Sequence, residues 1–302
     1  MKAVENLRLF SCVLIFMATS CIKENLDICL PQPVFISFSF VPSQTCAHEF
    51  FVPDDLNRLT VFVFDDNGLF LQQVDALPTG DRYQVELSLE PAHYQIFAVA
   101  GYDRDQMQSA PFIPGKTNLL DASVSSYLEH RDGSLLSAKQ ALFIGSHTLT
   151  VSSKLQDQKY LMTLIQKTKT LHITVDGISH ALYQIALAGN AARYRFDMDQ
   201  VYLTGNPLMY FSLEGEGHRY TGRTLINWPM RGEGNYTRLQ IINPATGMRL
   251  LNEDLLELLF RVPGIDLECA AAFHVEIEYR VTTGLAIYIN NWRVHSGGYV
   301  LI

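Results

Sequence analysis

The sequence predicts an all-β protein of two antiparallel β-sandwich domains with one short helix in the second. Three observations carry that expectation. Segments with apolar and polar residues in alternation recur about every 10–15 positions, the pattern of strands half buried in sandwiches. The stretches between them hold turn chemistry such as Asn67-Gly68, Gly215-Glu-Gly217, Gly232-Glu-Gly234 and Asn243-Pro244. One segment, Asn252 to Phe260, has a capping residue, acids in its first turn and Arg261 at its end, which reads as a helix. At 302 residues and 48% apolar composition the chain is long enough for two cores of ordinary size.

In order, the chain opens with an apolar run from Leu9 to Ala18, flanked by Lys2 and Arg8. A bilayer span needs roughly 20 apolar residues, so this run has signal-peptide rather than transmembrane length. Thr19 and Ser20 are small and stand directly before Cys21, the pattern that a lipoprotein signal peptidase reads. Residues 1–20 are therefore expected to be a lipoprotein signal peptide and 21–33 a tether, with Cys21 lipidated. One myristoyl-length chain binds a membrane marginally, whereas two or three hold firmly.

The first domain is expected over 34–154. Val34–Val41 alternates, with Ile36, Phe38 and Phe40 on one face and Ser37 and Ser39 on the other. Leu59–Asp65 is the next strand, followed by the hairpin signal Asp66-Asn-Gly68 and a return strand Leu69–Val74. Tyr83–Leu89 and Tyr94–Ala100 follow. Asp103–Leu136 is an irregular excursion with a short helix expected at Asp121–His130, capped by Asp121. Ala141–Gly145 and Thr148–Val151 return to strand character, and the polar stretch Ser152–Gln158 reads as the boundary.

The second domain is expected over 155–302. Its strands are Tyr160–Ile165, Thr170–Val175, Arg193–Asp197, Met209–Leu213, Arg219–Ile226 and Leu239–Ile242. After the helix come Phe273–Val281 and Ala286–Trp292. Gly297-Gly298 then leads into an apolar end, Tyr299, Val300, Leu301 and Ile302, which is either the last strand of its own domain or a strand offered to a partner.

Chemistry-bearing motifs are sparse. The chain has no His-Glu-x-x-His, Gly-x-Ser-x-Gly, phosphate-cradling Gly-x-x-x-x-Gly-Lys or Cys-x-x-Cys. The nine histidines are scattered, and Asp65, Asp66 and Asn67 lack the later ligands of a calcium loop. No catalytic residue, cofactor or metal site is expected. A net charge of −8 without a Lys/Arg cluster argues against nucleic acid as a partner. Trp228 and Trp292 would be sugar platforms in a glycan-binding protein, or else core and interface side chains. Of the five cysteines, Cys12 leaves with the signal and Cys21 takes lipid. Cys29 and Cys46 flank the first strand and either form a disulfide or, with Cys269 buried, stay as thiols.

Cys21-Ile-Lys-Glu-Asn-Leu-Asp-Ile-Cys29, with its acids and second cysteine, resembles the mature start of FimB-like fimbrial anchor lipoproteins of Bacteroidota. Leu59-Thr-Val-Phe-Val-Phe-Asp-Asp-Asn-Gly-Leu-Phe70 resembles that family's first-domain hairpin, and the strand ending Asn290-Asn-Trp292 its second-domain signature. The chain departs from the family at Gln166-Lys-Thr-Lys169, where an Arg-containing segment is usual. The resemblance implies two transthyretin-like (Ig-like) sandwiches tethered to the outer membrane through a palmitoylated cysteine and exposed at the cell surface. It also implies that the protein anchors fimbriae, limits their length and meets pilus subunits by strand exchange.

Overall fold

The computed structural model describes residues 30–43, 45–46, 51, 53, 56, 58–79, 82–107, 111–129, 131, 134–153, 157–179, 181–197, 200–228 and 237–296. The first sheet has eight strands. These are β1 (Gln32–Val41), β2 (Leu59–Asp65), β3 (Phe70–Asp75), β4 (Leu77–Thr79), β5 (Arg82–Leu89), β6 (His93–Ala100), β10 (Phe143–Thr150) and β11 (Gln158–Gln166), in the order β3-β2-β6-β10-β11-β1-β5-β4. Between β6 and β10 lie the short strands β7 (Ser123–Ser125), β8 (Tyr127–Glu129) and β9 (Leu135–Ser137).

Two six-stranded sheets form the second half. One, in the order β17-β18-β12-β21-β22-β23, is built from β12 (Thr168–Asp176), β17 (Leu213–Glu216), β18 (Arg219–Asn227), β21 (Ala272–Arg280), β22 (Gly284–Ile289) and β23 (Trp292–Ser296). The other, in the order β20-β19-β13-β16-β9-β8, adds β13 (Gln184–Ala188), β16 (Leu208–Tyr210), β19 (Arg238–Ile242) and β20 (Arg249–Asp254) to β8 and β9. A ribbon joins β7 to β14 (Ala192–Arg195) and β15 (Gln200–Tyr202). The single α-helix among the described residues is α1 (Leu255–Phe260). Most pairings are antiparallel, as expected, but β1–β11, β12–β21 and β16–β9 are parallel.

Alternation explains the first core. Val34, Ile36, Phe38 and Phe40 of β1 meet Val61 and Val63 of β2, Val85 and Leu87 of β5, and Met162 and Leu164 of β11. Strands from both ends of one sheet thus share one core, so the sheet folds over itself into two layers. β2 is not half buried: Phe62 and Phe64 point the other way and are buried as fully as Val61 and Val63. They enter a second core with Phe70, Phe97, Val124, Tyr194 and Phe196. Tyr194 and Phe196 come from the second half of the chain, so this aromatic core cements the two halves together. The third core fills the space between the two six-stranded sheets, with Leu171, Ile173 and Val175 of β12 facing Leu187, Leu239 and Ile241.

The turn after β2 follows its sequence. Asp65 Oδ1 accepts from the N–H groups of Asn67 and Leu69, and the positive φ falls on Gly68 alone, at 75°. At Asn290-Asn291 the expected strand Ala286–Trp292 breaks. Both asparagines have positive φ, 48° and 68°, which makes a two-residue hairpin turn between β22 and β23.

Three expectations require correction. The boundary does not fall at Ser152–Gln158. That polar stretch is a surface connection, with Ser152 N–H donating to Gln158 Oε1, and β11 lies inside the first sheet between β10 and β1. The chain leaves the first sheet after Gln166 and enters the next at Thr168, while β7 to β9 cross over from the first half to pair with the second. The helix expected at Asp121–His130 is instead β7 and β8. Asn118, not Asp121, caps a single 3-10 turn at Leu119–Asp121, and Val124 is drawn into the aromatic core. The helix near 252 starts at Leu255 with Asp254 as its cap, because Asn252 is held in β20 by Gln240 Nε2 at 2.9 Å.

Candidate functional site: chain ends, sheet edges and the junction cleft

Of the residues singled out in the sequence, Cys21, Cys29 and Tyr299–Ile302 lie outside the described residues. The structure does show where the chain enters and leaves the body. It enters at Gln32 into β1, an interior strand flanked by β5 and β11. It leaves at Ser296 from β23, the edge strand of its sheet. At the bulge of β23, Arg261 Nη1 donates to Val294 O at 3.0 Å. β3 is the corresponding edge of the first sheet. Its first residue is already bridged outward, Phe70 N–H to Thr117 O and Gly115 N–H to Phe70 O, both at 2.8 Å.

Cys46 does not pair with Cys29. It forms a disulfide with Cys269, across 223 positions of sequence and a Cα–Cα distance of 5.7 Å. Cys269 is therefore not a buried thiol either. The physical reason is positional: the end of β1 carries Cys46 to the junction, where the turn ahead of β21 holds Cys269 within disulfide reach. A turn at the far side of the junction presents Cys269. Asp266 Oδ1 accepts from the N–H groups of Glu268 and Cys269, each at 3.0 Å.

Beneath that turn lies Lys169, fully buried. Its Nζ donates to Glu268 O and Ala270 O, both at 2.6 Å, and lies 4.8 Å from the centre of the Trp228 ring. Desolvation is the largest influence on it and lowers its pKa to about 8, although the nearby carboxylates of Glu268 and Asp266 pull the other way. Sequence reasoning missed this residue, yet a signal was present. Lys169 stands in phase with Leu171, Ile173 and Val175, which places it on the core face of its strand.

The lowered pKa has a definite sign in stability. Between about pH 8 and the ordinary lysine value of 10.5, the folded chain binds fewer protons than the unfolded chain, so Lys169 makes stability rise with pH across that window. A shift of that size is worth about 3 kcal/mol. Replacing Lys169 by Met is expected to remove this rise and leave the fold at least as stable near pH 7. Urea unfolding of both proteins from pH 7 to 10.5 measures it; parallel pH profiles would contradict the assignment.

Trp228 is 5% exposed and packs near Phe273 at 6.2 Å, so it is an interface side chain and not a sugar platform. Trp292 is 54% exposed but stands alone beside a turn. His274 stacks on His172 of the neighbouring strand at 4.7 Å. No group of three or more His, Cys, Asp or Glu side chains with metal-binding geometry exists among the described residues.

Around Trp228 the junction is hollow. A groove of about 640 Å³ is lined by Trp228, Leu256, Phe260, Val262, Ile265 and Leu267, with Asp266 and Glu268 among its walls. A smaller cavity of about 260 Å³ shares Trp228 and Glu268 with it and is otherwise lined by Ser43, Thr45, Ile165, Gln166 and Lys167.

Comparison with known proteins gives a consistent answer. The sequence model of the family described as fimbrillin-A associated anchor proteins Mfa1 and Mfa2 matches residues 26–296. The minor fimbrium anchoring subunit Mfa2 of Porphyromonas gingivalis is 24% identical over 307 residues, covering 91% of this chain and 89% of that protein. The crystal structure of the fimbrial anchor protein Mfa2 from Porphyromonas gingivalis has the same fold, with a TM-score of 0.63 at 19% identity over 88% of this chain and all of that one. A structure from Bacteroides thetaiotaomicron, described as a putative polysaccharide binding protein, superposes with a TM-score of 0.66 at 18% identity, covering 88% of this chain and 98% of that one.

Proposed function

Because the chain belongs to the family of fimbrillin-A associated anchor proteins, we propose that it is a surface lipoprotein that holds a fimbrium to the outer membrane and limits its length. The family match over 26–296 carries this reading. Cys21 takes the acyl chains, the tether expected over 21–33 ends at residue 31 because β1 already begins at Gln32, and β1 receives it in the interior of its sheet. The arrangement suits a fixed base: main-chain hydrogen bonds on both sides of β1 keep the tethered strand in place. The remainder of the chain is a scaffold with no catalytic step in the role. At the other end, β23 delivers Tyr299–Ile302 from a sheet edge, and these apolar residues are donated to a pilus subunit as an added strand.

Two variants test the two ends separately. Cys21→Ser is expected to leave a folded protein that no longer partitions with membranes or incorporates an alkyne-tagged palmitate. Deleting residues 298–302 is expected to leave a lipidated, folded protein on cells that shed their fimbriae. Membrane-bound Cys21→Ser protein would refute the lipid anchor, and unchanged fimbrial retention in the deletion would refute the donated strand.

A further inference from the structure

We propose that the hollow junction around Trp228 is a binding cleft for an extended polypeptide segment that alternates apolar residues and carries basic residues beside them. Four observations lead there. The indole Nε1 of Trp228 is buried and has no hydrogen-bond partner among the described residues. The same holds for the amide Oε1 of Gln166. Trp228 is 5% and Gln166 4% exposed, and both line the smaller cavity. One is an unused donor and the other an unused acceptor, and a peptide unit offers one C=O and one N–H. Leaving buried polar atoms unpaired costs about 1–3 kcal/mol each, so a ligand that enters the cavity and pairs with both recovers that cost.

The third observation is the apolar run beside it. Leu256, Val262, Ile265 and Leu267 line the adjoining groove, and Phe260 projects from the end of α1 at 68% exposure. Such residues suit side chains at alternate positions of a strand. The fourth is charge. Among the described residues the groove is walled by the carboxylates of Asp266 and Glu268 and by no Lys or Arg, which favours a basic over an acidic segment. Lys167 lies in the smaller cavity, beyond Trp228, where burial lowers its pKa.

In register, Ser296 stands beside Ala286 and so beside Glu278 and Asp176, whereas Lys167 precedes the first residue of β12, so the point where the chain leaves β23 lies about 30 Å along the strands from the cleft. The occupant proposed is a segment of another molecule. This deepens the anchor reading by giving the protein a second contact with a partner, separate from the edge at β23.

The test uses the full chain and a fluorescein-labelled, amidated peptide of sequence Lys-Val-Ser-Phe-Ser-Val-Lys, followed by fluorescence anisotropy. Saturable binding below about 100 μM is expected. Exchanging the lysines for glutamates should weaken it roughly fivefold. Trp228→Phe keeps the ring but removes the donor and should weaken it roughly five- to tenfold. Phe260→Ala alters an exposed side chain, leaves folding intact and should weaken it roughly tenfold. Absence of saturation at 1 mM of protein, on the order of the weakest specific affinities, would overturn the proposal. So would an affinity indifferent to both Phe260→Ala and peptide charge. Fimbrial retention on cells is read independently, so failure of the peptide titration leaves the anchor assignment standing, and loss of retention leaves the cleft standing.

Discussion

Phe196→Ala is expected to lower the unfolding free energy by about 3–5 kcal/mol, the range for removing a fully buried aromatic ring. Phe196 follows β14, in the second half of the chain, but its ring is packed into the outer face of the first sheet. Its centre lies 5.0 Å from that of Phe62, 5.5 Å from Phe97 in a stacked arrangement, 6.1 Å from Phe112 and 6.2 Å from Phe64. Truncation removes those contacts at once and leaves a cavity bounded by β2 and β6, both strands of a rigid sheet that cannot collapse to fill it. Urea denaturation followed by fluorescence measures the loss. Val201→Ala, at a 45% exposed position of the adjoining ribbon, serves as the control and should change stability by less than about 0.5 kcal/mol. A cost for Phe196→Ala as small as the control's would mean that the aromatic core does not couple the halves.

The double variant Cys46→Ser, Cys269→Ser is expected to lose up to about 5 kcal/mol, the loop-closure value for a ring of this size. The bridge spans 223 positions, so it restrains most of the unfolded chain. Unfolding of the oxidised protein, the reduced protein and the double variant in denaturant gives the number. The reduced protein and the variant should unfold together, well before the oxidised one. Coincident curves for all three would show that the bond contributes nothing to the equilibrium. Replacing both cysteines keeps the experiment clean, because a single substitution leaves a reactive thiol behind.

The strands were the most legible part of the sequence. Leu59–Asp65 matches β2 residue for residue because a short apolar run rich in Val and Phe, closed by Asp66-Asn-Gly68, reads as a buried strand, and Tyr83–Leu89 and Phe273–Val281 fall within one residue of β5 and β21 because period-two alternation reports directly on a half-buried strand. Short strands such as β7, β8 and β9 were not legible. Three residues carry too little periodicity; β7 and β9 take their strand character from partners distant in sequence, and β8 takes its own from β9. The boundary misread has a related cause: a polar stretch marks exposure to water, and an exposed hairpin connection looks the same as a linker. The Cys46–Cys269 bridge depends on which loops converge at the junction, which no spacing along the chain encodes. Lys169 was the readable exception, since a lysine in phase with three core residues must be buried or break the pattern. The orphaned Trp228 and Gln166 atoms had no counterpart in the sequence, because they depend on what does not reach them.

The placement of β1 decides how the molecule resists being pulled. A force applied ahead of Gln32 acts along the strand axis, and eight residue pairs with β11 and six with β5 resist it side by side. Such a strand must slide past both neighbours together, whereas an edge strand peeled sideways yields one pair at a time. β11 then passes the tension through one residue, Lys167, into β12, whose parallel pairing with β21 repeats the same sliding geometry in the second half. The polypeptide thus strings its two hardest-to-rupture pairings in series along the line of traction.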